Sequence, residues 1–258
     1  MPRIRIRISM AIVGFLLASA WLAAGDVRIG AHTGLSVPRI HGDDSNPYSR
    51  GFTSRFGPFF GLSFETHLTG RLSLAAEINY TSQGGLRKGL QPITMDLPEE
   101  LGIPAGTMLF ANFRNETILD YLEFPVMGRL TFGERKRFFV DAGPYLGFLV
   151  LAKAKTRGVS AIYLDEAGTQ PIIIPPDTEP LQVDLGAKTD VKEGIHNTNV
   201  GLIVGIGVTR PLGRGQIVLE ARGQLGLSTL QRDTANGDDK TGAFIISLGY
   251  TFALGKGK

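Results

Sequence analysis

Four histidines, His32, His41, His67 and His196, are the side chains of this 258-residue sequence best suited to move a proton near neutral pH. Enzymes that cut lipid or peptide at a membrane rim pair such a histidine with a serine or an acid. His41 is followed by Asp43, Asp44 and Ser45, and His196 by Asn197 and Thr198. Neither run makes a Ser-His or His-Asp pair by itself, because the partner has to come from another segment, so no catalytic residue is assigned. The acidic stretches HGDD (41–44), DLPEE (96–100), LDEAG (164–168) and NGDD (236–239) could attract a divalent cation. None has the alternating Asp spacing and central Gly of a calcium loop, and all read as solvated loop charge. With no Cys in the chain there is no thiolate metal site or disulfide. No phosphate-cradling glycine loop or nucleotide fingerprint occurs either. Neither cofactor nor metal is expected, and the chain reads as a non-enzyme.

The elements that would hold any site come next, and the first 25 residues are excluded from them. Arg3, Arg5 and Arg7 precede the apolar run MAIVGFLLASAWLAA, and small residues (Ala23, Ala24, Gly25) precede Asp26. That is the plan of a cleaved secretory signal peptide, residues 1–25, leaving 26–258 as the mature domain. Three of the 27 basic residues lie in it, so the remainder holds 24 basic against 24 acidic. The basic balance belongs to the leader and gives no reason to expect nucleic acid as a partner.

The stretch FFVDAGPYLGFLVLA (138–152) decides the fold class. Its even positions, Phe138, Val140, Ala142, Pro144, Leu146, Phe148, Val150 and Ala152, are all apolar, while the odd ones include Asp141, Gly143, Tyr145 and Gly147. Period two is the strand period, and Gly143-Pro144 would break a helix at its centre. The same one-sided pattern recurs in segments 26–37, 55–68, 71–82, 117–132, 196–210, 215–229 and 242–254, making eight predicted strands. Thr69-Gly70, GERK (133–136) and PLGR (211–214) make short turns, whereas the connections 38–54, 83–116, 157–195 and 230–241 are long. Long and short strictly alternate along an even number of strands. The pattern predicts an all-β fold: an eight-stranded antiparallel up-and-down transmembrane β-barrel with short periplasmic turns, long extracellular loops and an apolar face toward lipid.

The opposite face would line a lumen that eight strands leave only wide enough for side chains. It carries Glu65, Glu77, Glu123, Arg129, Asp141, Glu220 and Arg222. Such charges are costly unless paired, so a structural charge network with Arg129 and Arg222 as the cations is expected.

The segments YLEFPVMGRL (121–130), FFVDAGPYLGFLVLAKAK (138–155), VGLIVGIGV, VLEARGQLGLSTL and the terminal SLGYTF resemble the outer-membrane-protein beta-barrel domain family, the porin-like small barrels. The resemblance covers nearly all of 26–258. It implies the cell outer membrane of a Gram-negative bacterium, with outer-membrane lipid and lipopolysaccharide around a monomer, and implies no particular activity. Ser247, Gly249, Phe252 and Leu254 resemble the last-strand signal read by the outer-membrane assembly machinery, departing from it in the tail GKGK. Three roles follow: a non-enzymatic barrel serving envelope structure or surface recognition and adhesion through its long loops, a small channel, or a rim-located lipid-modifying enzyme. The filled lumen and the missing triad favour the first.

Overall fold

Period-two alternation can close on itself only if every strand of the ring finds a partner on both edges, and eight strands here do. The computed structural model describes residues 27–42, 46–93, 103–104, 106–133, 137–173, 179–233 and 237–254. The leader 1–25, Asp43 and Asp44, the DLPEE stretch, most of the GERK turn and the GKGK tail lie outside the described residues. Eleven strands occur among them: β1 (Val27–His41), β2 (Gly57–Thr69), β3 (Leu72–Ile93), β4 (Leu109–Phe132), β5 (Arg137–Arg157), β6 (Val159–Tyr163), β7 (Gln182–Asp184), β8 (Ala187–Asp190), β9 (Thr198–Leu212), β10 (Gly215–Gly226) and β11 (Lys240–Ala253). Eight of them form an antiparallel ring in the order β1-β2-β3-β4-β5-β9-β10-β11, which β1 and β11 close from Arg28↔Ala253 to His41↔Lys240.

The tight connections lie at one end of the ring with Val27 and Leu254. Gly70 (φ +40°) and Gly213 (φ +60°) take the left-handed conformation that two of these turns require. This is the periplasmic end of the predicted plan. Large apolar side chains point outward around the ring, among them Phe60, Ile78, Phe124, Phe138, Val140, Leu202, Val204, Ile206, Leu219 and Leu248. Their exposure is the surface a lipid bilayer covers.

Three differences from the sequence expectation concern the outer end. The predicted loop 83–116 is mostly a hairpin, since β3 runs on to Ile93 and β4 starts at Leu109. Gly84, Gly85 and Gly89 interrupt the alternation there, so the period does not announce a strand. The predicted loop 157–195 contains β6, β7 and β8, which add to the tall β3–β4–β5 wall. Leu109, Ala111, Phe113, Ile162 and Ile172 bury against one another and give this extracellular part a small core of its own. Finally, a bulge lets Asp120 pair with Leu151 and Tyr121 with Leu149, so Val150 has no opposite number. The extra residue reverses the facing of β5 beyond it. Ala152, expected on the lipid side, is instead buried with Leu119 and Tyr121.

Val204 lies mid-strand in β9 and is 61% exposed. Replacing it with Arg puts a charge near the bilayer midplane, and Val204→Arg is expected to cost about 2–4 kcal/mol in reversible folding into lipid bilayers. A neutral result would mean that this face of β9 does not meet lipid.

Candidate functional site

The inward face carries three layers of side chains from the periplasmic to the extracellular end. The lowest is ionic. Arg129 of β4 stands directly opposite Asp141 of β5 and donates to its Oδ2 from Nη2 at 2.6 Å and from Nε at 3.0 Å. The same guanidinium reaches Glu65 at 3.2 Å and Glu220 at 3.6 Å, and it lies 4.0 Å above the ring of Phe139. Arg222 of β10 makes a two-pronged bond to Glu77 across the lumen, 2.6 Å for each prong, and also pairs with Glu220 on its own strand. Bidentate geometry of this kind is the strongest form of the pair. Room for it comes from Gly205, opposite both Asp141 and Arg222. A Cβ on Gly205 would run into Asp141 Oδ1 and Glu220 Oε1. His32 joins the layer by hydrogen bonding Asn79 at 2.9 Å and stacking on Phe59, and Asn79 donates to Glu77 at 2.9 Å.

The middle layer is polar and holds one further carboxylate. Glu123 accepts from Gln83 (2.5 Å), Gln224 (2.8 Å) and Thr81 (2.8 Å) and is 1% exposed. Its three partners are neutral, and they arrive from β3 and β10. Glu65, Glu77, Asp141 and Glu220 share the two guanidinium groups, while Glu123 is held by neutral donors. Asp141 Oδ1 is buried with no hydrogen-bond partner among the described residues. A cavity of about 20 Å³ between His32, Ser63, Glu77, Arg129, Glu220 and Ser247 has room for about one water molecule.

The outer layer is apolar. Ile40, Leu119, Tyr121, Leu149, Ala152 and Leu230 bury against one another, with Phe52, Val191 and Ile195 packed on them. Four of these, Phe52, Val191, Ile195 and Leu230, come from connections rather than from ring strands. They pack against the inward side chains of the ring strands at its extracellular end.

The remaining sequence candidates fall elsewhere. Ser247 and Gly249 face the lumen, and Phe252 and Leu254 are exposed on the outer face of the last strand. His67 bonds Ser73 at 2.7 Å beside a periplasmic turn. Asp165 of LDEAG is spent on its own loop, accepting from the backbone N–H groups of Thr169 and Gln170. Asp239 of NGDD departs from the solvated reading, being buried at 3% exposure and bonded by Gln231 at both its backbone and its carboxylate. Burial pushes its carboxyl above the ordinary Asp range, and the neighbouring charge of Asp238 adds to that. Among the described residues no group of three or more His, Asp or Glu could hold a metal ion.

Sequence reasoning did not single out Thr81, Gln83 or Gln224 as a cage, nor the apolar lid. Alternation alone sets Leu119 and Tyr121 inward, but Ile40, Phe52 and Leu230 sit in stretches read as loop.

No curated protein matches the chain. Among solved structures it is similar to the N-terminal β-barrel domain of Pseudomonas aeruginosa OprF (13% identity, TM-score 0.40, 90% of this chain and 98% of that one). It is also similar to Ail of Yersinia pestis (12%, TM-score 0.36, 88% and 99%) and to the outer membrane protease OmpT of Escherichia coli (11%, TM-score 0.30, 89% and 95%). The family model described as outer membrane protein beta-barrel domain matches residues 19–232. Together with the closed eight-stranded ring, this shows that the chain belongs to the outer membrane protein beta-barrel domain family and is a protein of the cell outer membrane.

Proposed function

We propose that the protein is a non-enzymatic barrel with a sealed lumen, acting in envelope structure or surface recognition through its extracellular part. The observation that carries this reading is the apolar lid of Ile40, Leu119, Tyr121, Leu149, Ala152 and Leu230 above the ionic layer. Water and ions cross an apolar plug poorly, because each loses polar partners that nothing in the plug replaces. Below it the two guanidinium groups span the lumen from wall to wall. The extracellular hairpin and β6–β8, with their own core, form the broad surface such a role needs. In this reading residues 1–25 direct export, and Ser247, Gly249, Phe252 and Leu254 present the last strand to the assembly machinery. The barrel works as a monomer among outer-membrane lipids.

A second reading has one observation in its favour. Within the ionic and middle layers five carboxylates face two guanidinium groups, an excess of negative charge that suits a path for small cations if the lid moves. Conductance separates the two. Purified protein in planar bilayers is expected to give no steady conductance step, and a large stable step would move the channel reading to first place.

The ionic layer generates its own prediction. Arg222→Ala leaves Glu77 buried without its cation and Glu220 with Arg129 alone, a change that costs about 3–5 kcal/mol in comparable pairs. Glu193→Gln, at an exposed position in the extracellular 192–194 turn, is expected to stay within about 0.5 kcal/mol. Equilibrium unfolding from bilayers compares them. A mild Arg222→Ala would mean that water solvates these charges in a wetter lumen.

A further inference from the structure

The outward face of the tall wall changes character above the lipid-facing band. On β4 the apolar run Leu130, Val126, Phe124, Leu122 gives way to Asp120, Glu116 and Arg114. On β5 the run from Phe138 to Val150 gives way, past the bulge, to Lys153, Lys155 and Arg157. Tyr80 and Ser82 both donate to Asp120 at 2.5 Å, marking the level where polar groups begin.

Above that level the strand register sets like charges side by side. Lys88 is directly opposite Arg114, Arg114 directly opposite Arg157, and Lys155 directly opposite Lys188. Opposed like charges destabilise a sheet, and here three such pairs share one face. Lys153 completes the group, opposite Asp190. Two acids accompany these six cations. Glu116 stands directly opposite Lys155 and is 3.2 Å from Arg55 and 3.9 Å from Arg114. Asp190 accepts the backbone N–H of Lys192. Among the described residues, Arg114 alone of the six makes an ion pair. Lys155 is partly buried, and the other five are exposed.

We infer that this face binds the phosphate groups of outer-leaflet lipopolysaccharide. The charge is complementary, and a bound anion supplies the counter-charge that two acids among six cations leave unmet. Location selects the membrane over a soluble polyanion. The patch lies on the side wall, where lipid packs, and not on the loop tips that a partner in solution meets first. Three residues separate Lys153 from lipid-facing Val150, about 10 Å along the strand, close to the roughly 8 Å over which charges act at physiological salt. The inference rests on the reading of the extracellular part as the working surface, and it assigns that surface a partner.

The test uses the full barrel refolded in zwitterionic detergent, with binding of lipopolysaccharide and of its enzymatically dephosphorylated form measured at several salt concentrations. Wild type is expected to bind the phosphorylated form in a salt-dependent way and the dephosphorylated form far more weakly. The triple variant Lys153→Gln, Lys155→Gln, Lys188→Gln is expected to bind roughly 100-fold more weakly, the scale of three basic side chains at an anionic surface. Its thermal stability should stay close to that of wild type, because the Lys155–Lys188 repulsion is lost together with the cross-strand pairs Lys155–Glu116 and Lys153–Asp190. Equal binding by variant and wild type would overturn the proposal, as would a wild type that prefers heparin in solution to lipopolysaccharide. Neither result depends on conductance, so a conducting barrel that still binds lipopolysaccharide through these lysines would contradict the sealed lumen alone.

Discussion

Every backbone N–H and C=O that enters lipid must find its partner within the protein. The rest of the molecule depends on how that demand is met. One sheet is closed by β1 against β11, so no edge is left in the membrane. Closure at eight strands fixes the width of the lumen, and width fixes its contents. A cylinder this narrow is filled by the side chains of its own inner face, and any charge there must be paired at short range.

The inner face meets this condition with two guanidinium groups that each serve several carboxylates. Arg129 gathers Asp141, Glu65 and Glu220, while Arg222 gathers Glu77 and Glu220. Glycine makes the crowding possible, since Gly205 lies where a methyl group would displace the carboxylates. The layer joins β2, β3, β4, β5 and β10 through side chains, in addition to the backbone ladder. Such a network ties strands remote in sequence into one register, because a slip of one residue turns Arg129 or Arg222 toward lipid. Glu123, held by neutral donors, shows that amides and hydroxyls complete what the two cations leave.

Much of this was legible in the sequence, because period two survives any detail of loop structure. Arg129, Asp141, Glu220 and Arg222 fall on the inward face by counting alone, and Val204 on the outward one. Counting stops working where the chain departs from the period. The bulge beside Val150 reverses the facing of Ala152, and nothing in LVLA announces it. Gly84, Gly85 and Gly89 conceal a hairpin that only cross-strand pairing reveals. The lid joins Ile40, Leu119 and Leu230, which no local pattern connects. The basic face is hidden for the same reason: Lys155 and Lys188 are neighbours only once β8 has docked on β5.

In the sealed-lumen reading the ionic layer lies beneath an apolar plug, and a chain with no cysteine allows this to be probed directly. Ser247 is buried in the lumen, whereas Glu193 is exposed on the extracellular side. Single variants Ser247→Cys and Glu193→Cys can be treated from the outside of intact cells with a membrane-impermeant thiol reagent. Rapid labelling of Glu193→Cys is expected, and none of Ser247→Cys until the barrel is unfolded. Comparable labelling rates at the two positions would contradict the sealed lumen.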